Sequence, residues 1–600
     1  MRLSIASLVA LAALVACHRA PTTYSLATAD PRTVRHLPAG DVVGGVGRYG
    51  AFAWLGIPYA KPPVGALRWR APEPAERWSD TRSALTFGAP CVQYGSRFGG
   101  IPGVQPGQVG GSEDCLTLNV WSPAGDVAKL PVIFWIHGGG NSVGHTQTYD
   151  GGHLATTHQL VVVTVQYRLG PLGWFRNAAI RADATSDAER SGNFATLDLV
   201  RALDCVRDNV ADFGGDPGNV TIAGESAGAQ NVYTLLLSPA AHGLFHRAIA
   251  QSGGLWSYSP AQAENPVDAP EPGDKLSSTE MAVRLLTRSG HAGSRADALA
   301  EIAGMPAANA ARDLRAIPAR ELVADYDAAP SGMIDLPRVI RDGTVLPAGN
   351  LLATLGRTWN RVPVLVGTNR DENKLFMFTD PQYVRQRLWV IPYTLDQQRY
   401  DLTAEYLARW WKAHGADMPA TEMAKAEPRT FVYRFDWRDE PVVLGADLAK
   451  LLGAAHAFEI PFMFGHFDLG REARFLYAQA NEAGRTALSR AMMSYWAEFA
   501  YAGAPRRGRT GDLPPWEAWD GARTMQLDTE TGGGIRLTSA APETGERVLA
   551  DLAADPRFAS PRDRCRVVHE VAEFGRLLTP DDYARMGCAA YPYAAYPWDG

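Results

Sequence analysis

Basic charge is not in surplus here: 58 Lys and Arg stand against 64 Asp and Glu, for a formal net charge of −6 with both signs spread along the chain. That balance excludes the electrostatic footprint of a nucleic-acid-binding protein. The compact run Arg506, Arg507, Arg509 reads as a solvated loop. Metal-ligand spacing is also missing, since His242 and His246 sit one helical turn apart without a third ligand, so no metal is expected. No internal repeat stands out. No strand-turn-helix phosphate fingerprint is found that would announce a nucleotide cofactor, and none is expected. Long apolar runs are lacking too, because the N-terminal stretch over residues 3–16 is too short to cross a bilayer. Cysteine is scarce, at six in 600 residues.

What the chain does have is apolar bulk. Hydrophobic residues make up 46% of it, ample for a deep core. Length alone suggests several domains, yet large α/β folds often stay one unit.

The chemistry begins at residues 220–229, VTIAGESAGA, followed by the helical stretch QNVYTLLL over 230–237. This is G-x-S-x-G in strand-to-helix context, a nucleophile elbow with Ser226 at its tip. The glycines are needed because larger side chains two residues either side of so sharp a turn would collide. Upstream, the buried strand expected over LPVIFWI, residues 130–136, runs into His137-Gly138-Gly139-Gly140, a turn that exposes backbone N–H groups. Gly139, Gly140 and Ala227 are the expected oxyanion donors.

A serine hydroxyl needs a base, and the base needs an orienting acid. In the hydrolase order both follow the serine. Of the later histidines, His456 has the best context, after the strand-like TFVYRFDW at 430–437 and within GAAHAFEIPFMFG at 453–465. For the acid, the buried strand VPVLVG at 362–367 ends in TNRDE, offering Asp371 and Glu372. Chemistry alone does not choose between them.

Taken together these segments resemble the type-B carboxylesterases, the α/β-hydrolase family that includes the cholinesterases. The resemblance also rests on GIPYAKPPVGALRW at 56–69, EDCLTLNV at 113–120, QYRLGPLG at 166–173, FGGDP at 213–217 and QSGG at 251–254. It covers roughly residues 40 to 540. It implies an α/β fold of the hydrolase type: a large, mostly parallel central sheet flanked by helices, with helical and loop insertions forming a gorge. It implies Ser226 as nucleophile, Glu372 as orienting acid and His456 as base of a serine ester hydrolase working through an acyl-enzyme. Glu225 and Glu459 match two supporting carboxylates, and Cys91 and Cys115 match the family's first disulfide. The implied substrate is a small-molecule ester.

Two departures bear on substrate. Asn141 stands where many relatives have an aromatic after the glycine turn, an expected polar wall. Between Cys91 and Cys115 there is no tryptophan, so a choline ester is not the expected substrate. Trp256 is a candidate for the acyl side. Two other readings remain on the sequence alone: a non-catalytic binding or adhesion protein on the same fold, or a specialised hydrolase or acyltransferase for a bulky natural-product ester or amide.

The N-terminus reads as a signal peptide over 1–16, ending LVAC at 14–17 in the manner of a bacterial lipobox. Cys17 is then the expected lipidation site, residues 17–38 a flexible tether, 39–560 the catalytic domain and 561–600 a C-terminal extension. Export across the inner membrane is expected, with lipid the only membrane attachment. The outer membrane or cell surface is the expected location, and the periplasm or exterior if the cysteine is incidental. Cys565 and Cys588 are a plausible second disulfide, leaving Cys205 as a buried free thiol.

Overall fold

The computed structural model describes residues 24–388, 390–469, 473–576 and 578–596. The expected signal peptide over 1–16 and the expected lipidation site Cys17 lie outside them. Its centre is an 11-stranded sheet. In chain order the strands are β1 (Gly45–Val46), β2 (Phe52–Pro58), β3 (Thr117–Ser122), β4 (Leu130–Ile136), β5 (Val161–Val165), β6 (Gly215–Glu225), β7 (Arg247–Gln251), β8 (Val364–Asn369), β9 (Thr430–Phe435), β10 (Arg523–Leu527) and β11 (Arg536–Ser539). Their spatial order is β11-β10-β9-β8-β7-β6-β4-β5-β3-β2-β1. Every pairing from β5 through β4, β6, β7, β8 and β9 to β10 is parallel, and both ends are antiparallel.

A parallel sheet needs both faces covered, and its strands therefore read as unbroken apolar runs. Strand β4 shows how this works. Val132, Phe134 and Ile136 point into one core, while Ile133 and Trp135 point into the other. Helices α1 (Phe194–Asn209) and α2 (Ala227–Leu237) bury residues in the first core, and the long helix α3 (Glu482–Ala502) packs in the second.

One ion pair ties the layers together. Arg168, just beyond β5, makes a bidentate contact with Asp198 of α1, at 2.8 Å from Nε to Oδ2 and 2.7 Å from Nη2 to Oδ1. Both side chains are buried. Removing one partner strands a buried charge, which typically costs about 3–5 kcal/mol. Asp198→Ala should therefore lower the urea midpoint and the Tm sharply, whereas exposed pairs such as Arg190–Asp187 should tolerate the same treatment with less than about 1 kcal/mol lost.

The tether expected over 17–38 does not reach residue 38. Leu26 is buried, Tyr24 meets Phe87, and Val34–Leu37 pairs with Gly40–Val43 in a small three-stranded sheet. Neither VRHL nor GDVV alternates polar and apolar residues, so no strand pattern marked them in the sequence. The C-terminal extension likewise begins before 561. Helix α4 (Gly545–Ala554) and helix α5 (Pro561–Glu573) share one apolar cluster with Leu402, Tyr406, Leu407 and Trp410 of the helix Gln397–Lys412. Disulfides join Cys91 to Cys115 and Cys565 to Cys588. Cys205 is free and half-buried, with burial raising its thiol to about 11. Among the described residues no helix is long and apolar enough to cross a membrane.

Candidate active site

Strand β6 ends at Glu225 and α2 begins at Ala227, so Ser226 alone makes the turn, at φ 57° and ψ −122°. For a non-glycine residue this is strained, at a cost of order 1–3 kcal/mol that surrounding contacts must hold in place. Those contacts leave no room for side chains at the flanking glycines. A Cβ on Gly228 would lie 2.0 Å from the Ile136 carbonyl oxygen, and one on Gly224 would lie 2.5 Å from the Gly228 carbonyl carbon. The strand end β4 therefore presses directly on the elbow. The Ser226 N–H donates to the Gln251 carbonyl at 2.9 Å, which fixes the turn against β7.

Because β4 and β6 are neighbours, the glycine turn after β4 arrives beside the serine. A Cβ on Gly138 would come 3.0 Å from Ser226 Cβ. Gly139 and Gly140 follow at φ 98° and 60°. Their N–H groups donate to no partner among the described residues. Ala227 opens α2, where the first N–H groups have no intrahelical acceptor. The three expected donors thus flank one serine.

Acid and base come from the next two strands. Glu372 follows β8, and His456 lies in the loop after β9. The two loops are fastened together by Asp371 N–H to the Ala454 carbonyl at 3.0 Å, His456 N–H to the Glu372 carbonyl at 3.2 Å, and Asn369 Nδ2 to the Ala455 carbonyl at 2.8 Å. Glu372 Oε2 meets His456 Nδ1 at 2.6 Å, while its Oε1 accepts the Asn369 N–H at 2.7 Å. Asp371 turns elsewhere, to Lys374 Nζ at 3.2 Å.

The other imidazole nitrogen faces a second carboxylate, with Glu225 Oε1 3.1 Å from His456 Nε2. Ser226 Oγ makes no hydrogen bond among the described residues. Glu459 is fully buried and accepts from Asn369 Nδ2 at 2.6 Å and from Gln251 Nε2 at 3.1 Å. Burial pushes the carboxyls of Glu225 and Glu459 upward. For His456 burial opposes the charged form, but Glu225 and then Glu372 outweigh it and raise the imidazole to about 9.

Two features escaped the sequence. Rings of Trp411 and Phe376 lie 4.6 Å and 5.4 Å from the His456 ring, and Met333 Sδ sits 3.0 Å from where a Gly140 Cβ would be. Trp411 and Met333 lie far from the triad motifs in the chain, and Phe376, four residues after Glu372, had no local pattern to mark it. The polar wall expected from Asn141 is not there. Asn141 is fully buried, giving Nδ2 to Gln230 Oε1 and accepting on Oδ1 from Asn231 Nδ2 and the Tyr167 hydroxyl. Its amide braces the glycine turn from behind.

Among the described residues no group of three or more His, Cys, Asp or Glu is placed to hold a metal. A strained serine between strand and helix, an N–H cradle, and a carboxylate-bound histidine on successive parallel strands define an α/β-hydrolase. The carboxylesterase family profile matches residues 32–403 and 394–540, and the chain belongs to that family. It is 33% identical over 504 residues to the para-nitrobenzyl esterase of Bacillus subtilis (strain 168), covering 81% of this chain and 93% of the relative. It is 32% identical over 541 residues to the fumonisin B1 esterase of Sphingopyxis macrogoltabida, covering 85% and 89%. A solved para-nitrobenzyl esterase structure superposes with a TM-score of 0.63 at 30% identity, over 85% of this chain and 97% of that one. The protein is a carboxylic ester hydrolase acting on small-molecule esters.

Proposed function

We propose that hydrolysis runs through an acyl-enzyme on Ser226, with His456 as base and Glu372 holding it. The observation that carries this is the 2.6 Å contact of Glu372 Oε2 with His456 Nδ1, next to a serine held at positive φ. Glu372 fixes the tautomer, so that Nε2 is the nitrogen available to accept the Ser226 proton. As Oγ bonds to the ester carbonyl carbon, the charge moves to the carbonyl oxygen, where Gly139, Gly140 and Ala227 supply N–H donors. The intermediate collapses with loss of the alcohol, protonated by His456. Water then attacks the acyl-enzyme, giving its proton to His456, and Ser226 is released with the acid. The bond between base and nucleophile is of the kind that tightens only with substrate bound. Glu225 and Glu459 support the imidazolium. The test is a fluorophosphonate probe with peptide mapping: label confined to Ser226 supports the assignment, and label elsewhere, or none in a folded enzyme that turns over esters, sinks it.

A pH prediction follows from the same geometry. The base must be neutral to act, so kcat/KM falls as pH drops through the His456 titration. That limb should lie above the ordinary histidine value of about 6.5. His456 and Glu225 titrate as a pair, so the limb belongs to both. Glu225→Gln removes the largest upward pull and should move the limb to lower pH, which a pH profile of kcat/KM measures.

We also propose that the N-terminus is a signal peptide and that Cys17 carries lipid, anchoring the enzyme to the outer membrane or cell surface. The support is the LVAC sequence at 14–17. Cys17→Ser should move activity from the membrane fraction to the soluble one.

A further inference from the structure

The family profile stops at residue 540, but the chain goes on through α4, α5, further short helices and a disulfide. This extension is fastened to the helix Gln397–Lys412. Arg409 of that helix reaches Glu543 at 3.0 Å, the Glu543 N–H donates to Asp417 Oδ2 at 2.7 Å, and the Tyr406 hydroxyl donates to Asp555 at 2.8 Å. Tyr406 and Trp410 lie on the face that holds the extension, whereas Trp411, one residue on, turns to the site. Its Nε1 donates to the carbonyls of Ser252 and Gly253 at 3.1 and 3.0 Å, which fixes the ring beside the elbow.

The extension comes back to that ring. Where α5 ends, Phe574 packs 4.9 Å from Trp411 and 5.6 Å from Trp256, and Trp256 lies 5.6 Å from Trp411. The next residue, Gly575, has φ 74°, and a Cβ there would fall 2.3 Å from Trp256 Nε1. The extension backbone is thus pressed onto the edge of the indole, whose Nε1 is buried without a hydrogen-bond partner. Trp256 is itself tied to α2, its carbonyl accepting from Gln230 Nε2 at 2.5 Å. A continuous line of rings runs from Phe574 through Trp411 to the base His456.

From this geometry we propose that Phe574 is a specificity-determining residue, an aromatic wall supplied by the C-terminal extension that limits the bulk of the acyl group Ser226 can accept. The limit falls on the acyl side because Trp256, which Phe574 backs, stands beside the helix whose first N–H faces the oxyanion. The Cys565–Cys588 disulfide closes the helical unit from which the ring projects and holds it to one position. This rests on the acyl-enzyme reading above.

The experiment is a p-nitrophenyl ester series from acetate to decanoate, run on the full-length enzyme and on Phe574→Trp, Phe574→Leu and Phe574→Ala. A second series of acetates with growing alcohols runs beside it, and fluorophosphonate labelling checks that each variant is folded. The ratio of kcat/KM for decanoate to that for acetate should rise about tenfold in Phe574→Ala, less in Phe574→Leu, and fall in Phe574→Trp. A ratio within twofold of wild type across all three labelled variants would overturn the proposal, as would a change confined to the alcohol series. Absence of turnover and labelling in the wild type would instead strike the acyl-enzyme reading. The graded set guards against loss of fold, since Phe574→Leu and Phe574→Trp keep an apolar side chain in place.

Discussion

Ser226→Ala is expected to lower kcat by about 10^4 to 10^6 while leaving the fold intact. Alanine removes only the hydroxyl, and the turn that strains residue 226 is imposed by its neighbours: Ile136 against Gly228 and the Gln251 carbonyl on the residue 226 N–H. Urea midpoints of the two proteins should therefore agree, and substrate KM should change little, because the N–H cradle and ring walls remain. The readout is burst-free, residual p-nitrophenyl ester turnover with no fluorophosphonate label. A variant keeping more than a tenth of wild-type kcat would remove Ser226 from the mechanism.

Glu372→Ala is expected to lower kcat by about 10^4, close to the effect typical of losing the third triad member. The mutation leaves His456 Nδ1 without its partner and lets the wrong tautomer form. It also strips the Asn369 N–H of its acceptor inside the core, at about 1–3 kcal/mol. Activity and stability should hence fall together, unlike in Ser226→Ala. Asp371→Ala serves as the control. Its carboxylate sits on Lys374 and the Ala454 N–H, away from the imidazole, and its loss should leave the pH profile unmoved. A larger kcat loss in Asp371→Ala than in Glu372→Ala would reverse the assignment.

The elements nearest the chemistry were the most legible in the sequence. The strand expected over 130–136 is β4 to the residue, and the elbow strand and helix occur where G-x-S-x-G demanded them. Strand β8 is shifted by two residues at both ends and β9 ends two residues early, since period-free apolar runs carry no sharp boundary. Glu372 was separable from Asp371 only through the family resemblance. Both are carboxylates at a strand end, and only the fold decides which side chain faces the histidine. What could not be read was anything assembled from remote segments. Phe376, Trp411 and Phe574 belong to three helices and meet only when those pack. Glu225 was matched to a supporting acid, yet nothing local revealed that it would face Nε2 of His456. Asn141 misled because its position in the motif was read without its rotamer.

The order of strands in the sheet has a consequence for synthesis. From β6 onward each new strand is added to the same edge in the order in which the ribosome makes it, β7, β8, β9, β10, then β11. The serine and its N–H cradle are complete once β4, β6 and α2 have paired. Glu372 arrives one strand later than β7 and His456 later still, and Phe574 follows only after α5. His456 lies 230 residues after Ser226, so a chain read from its N-terminus holds the serine and its N–H donors well before it holds the histidine, and strands β10 and β11 come after both.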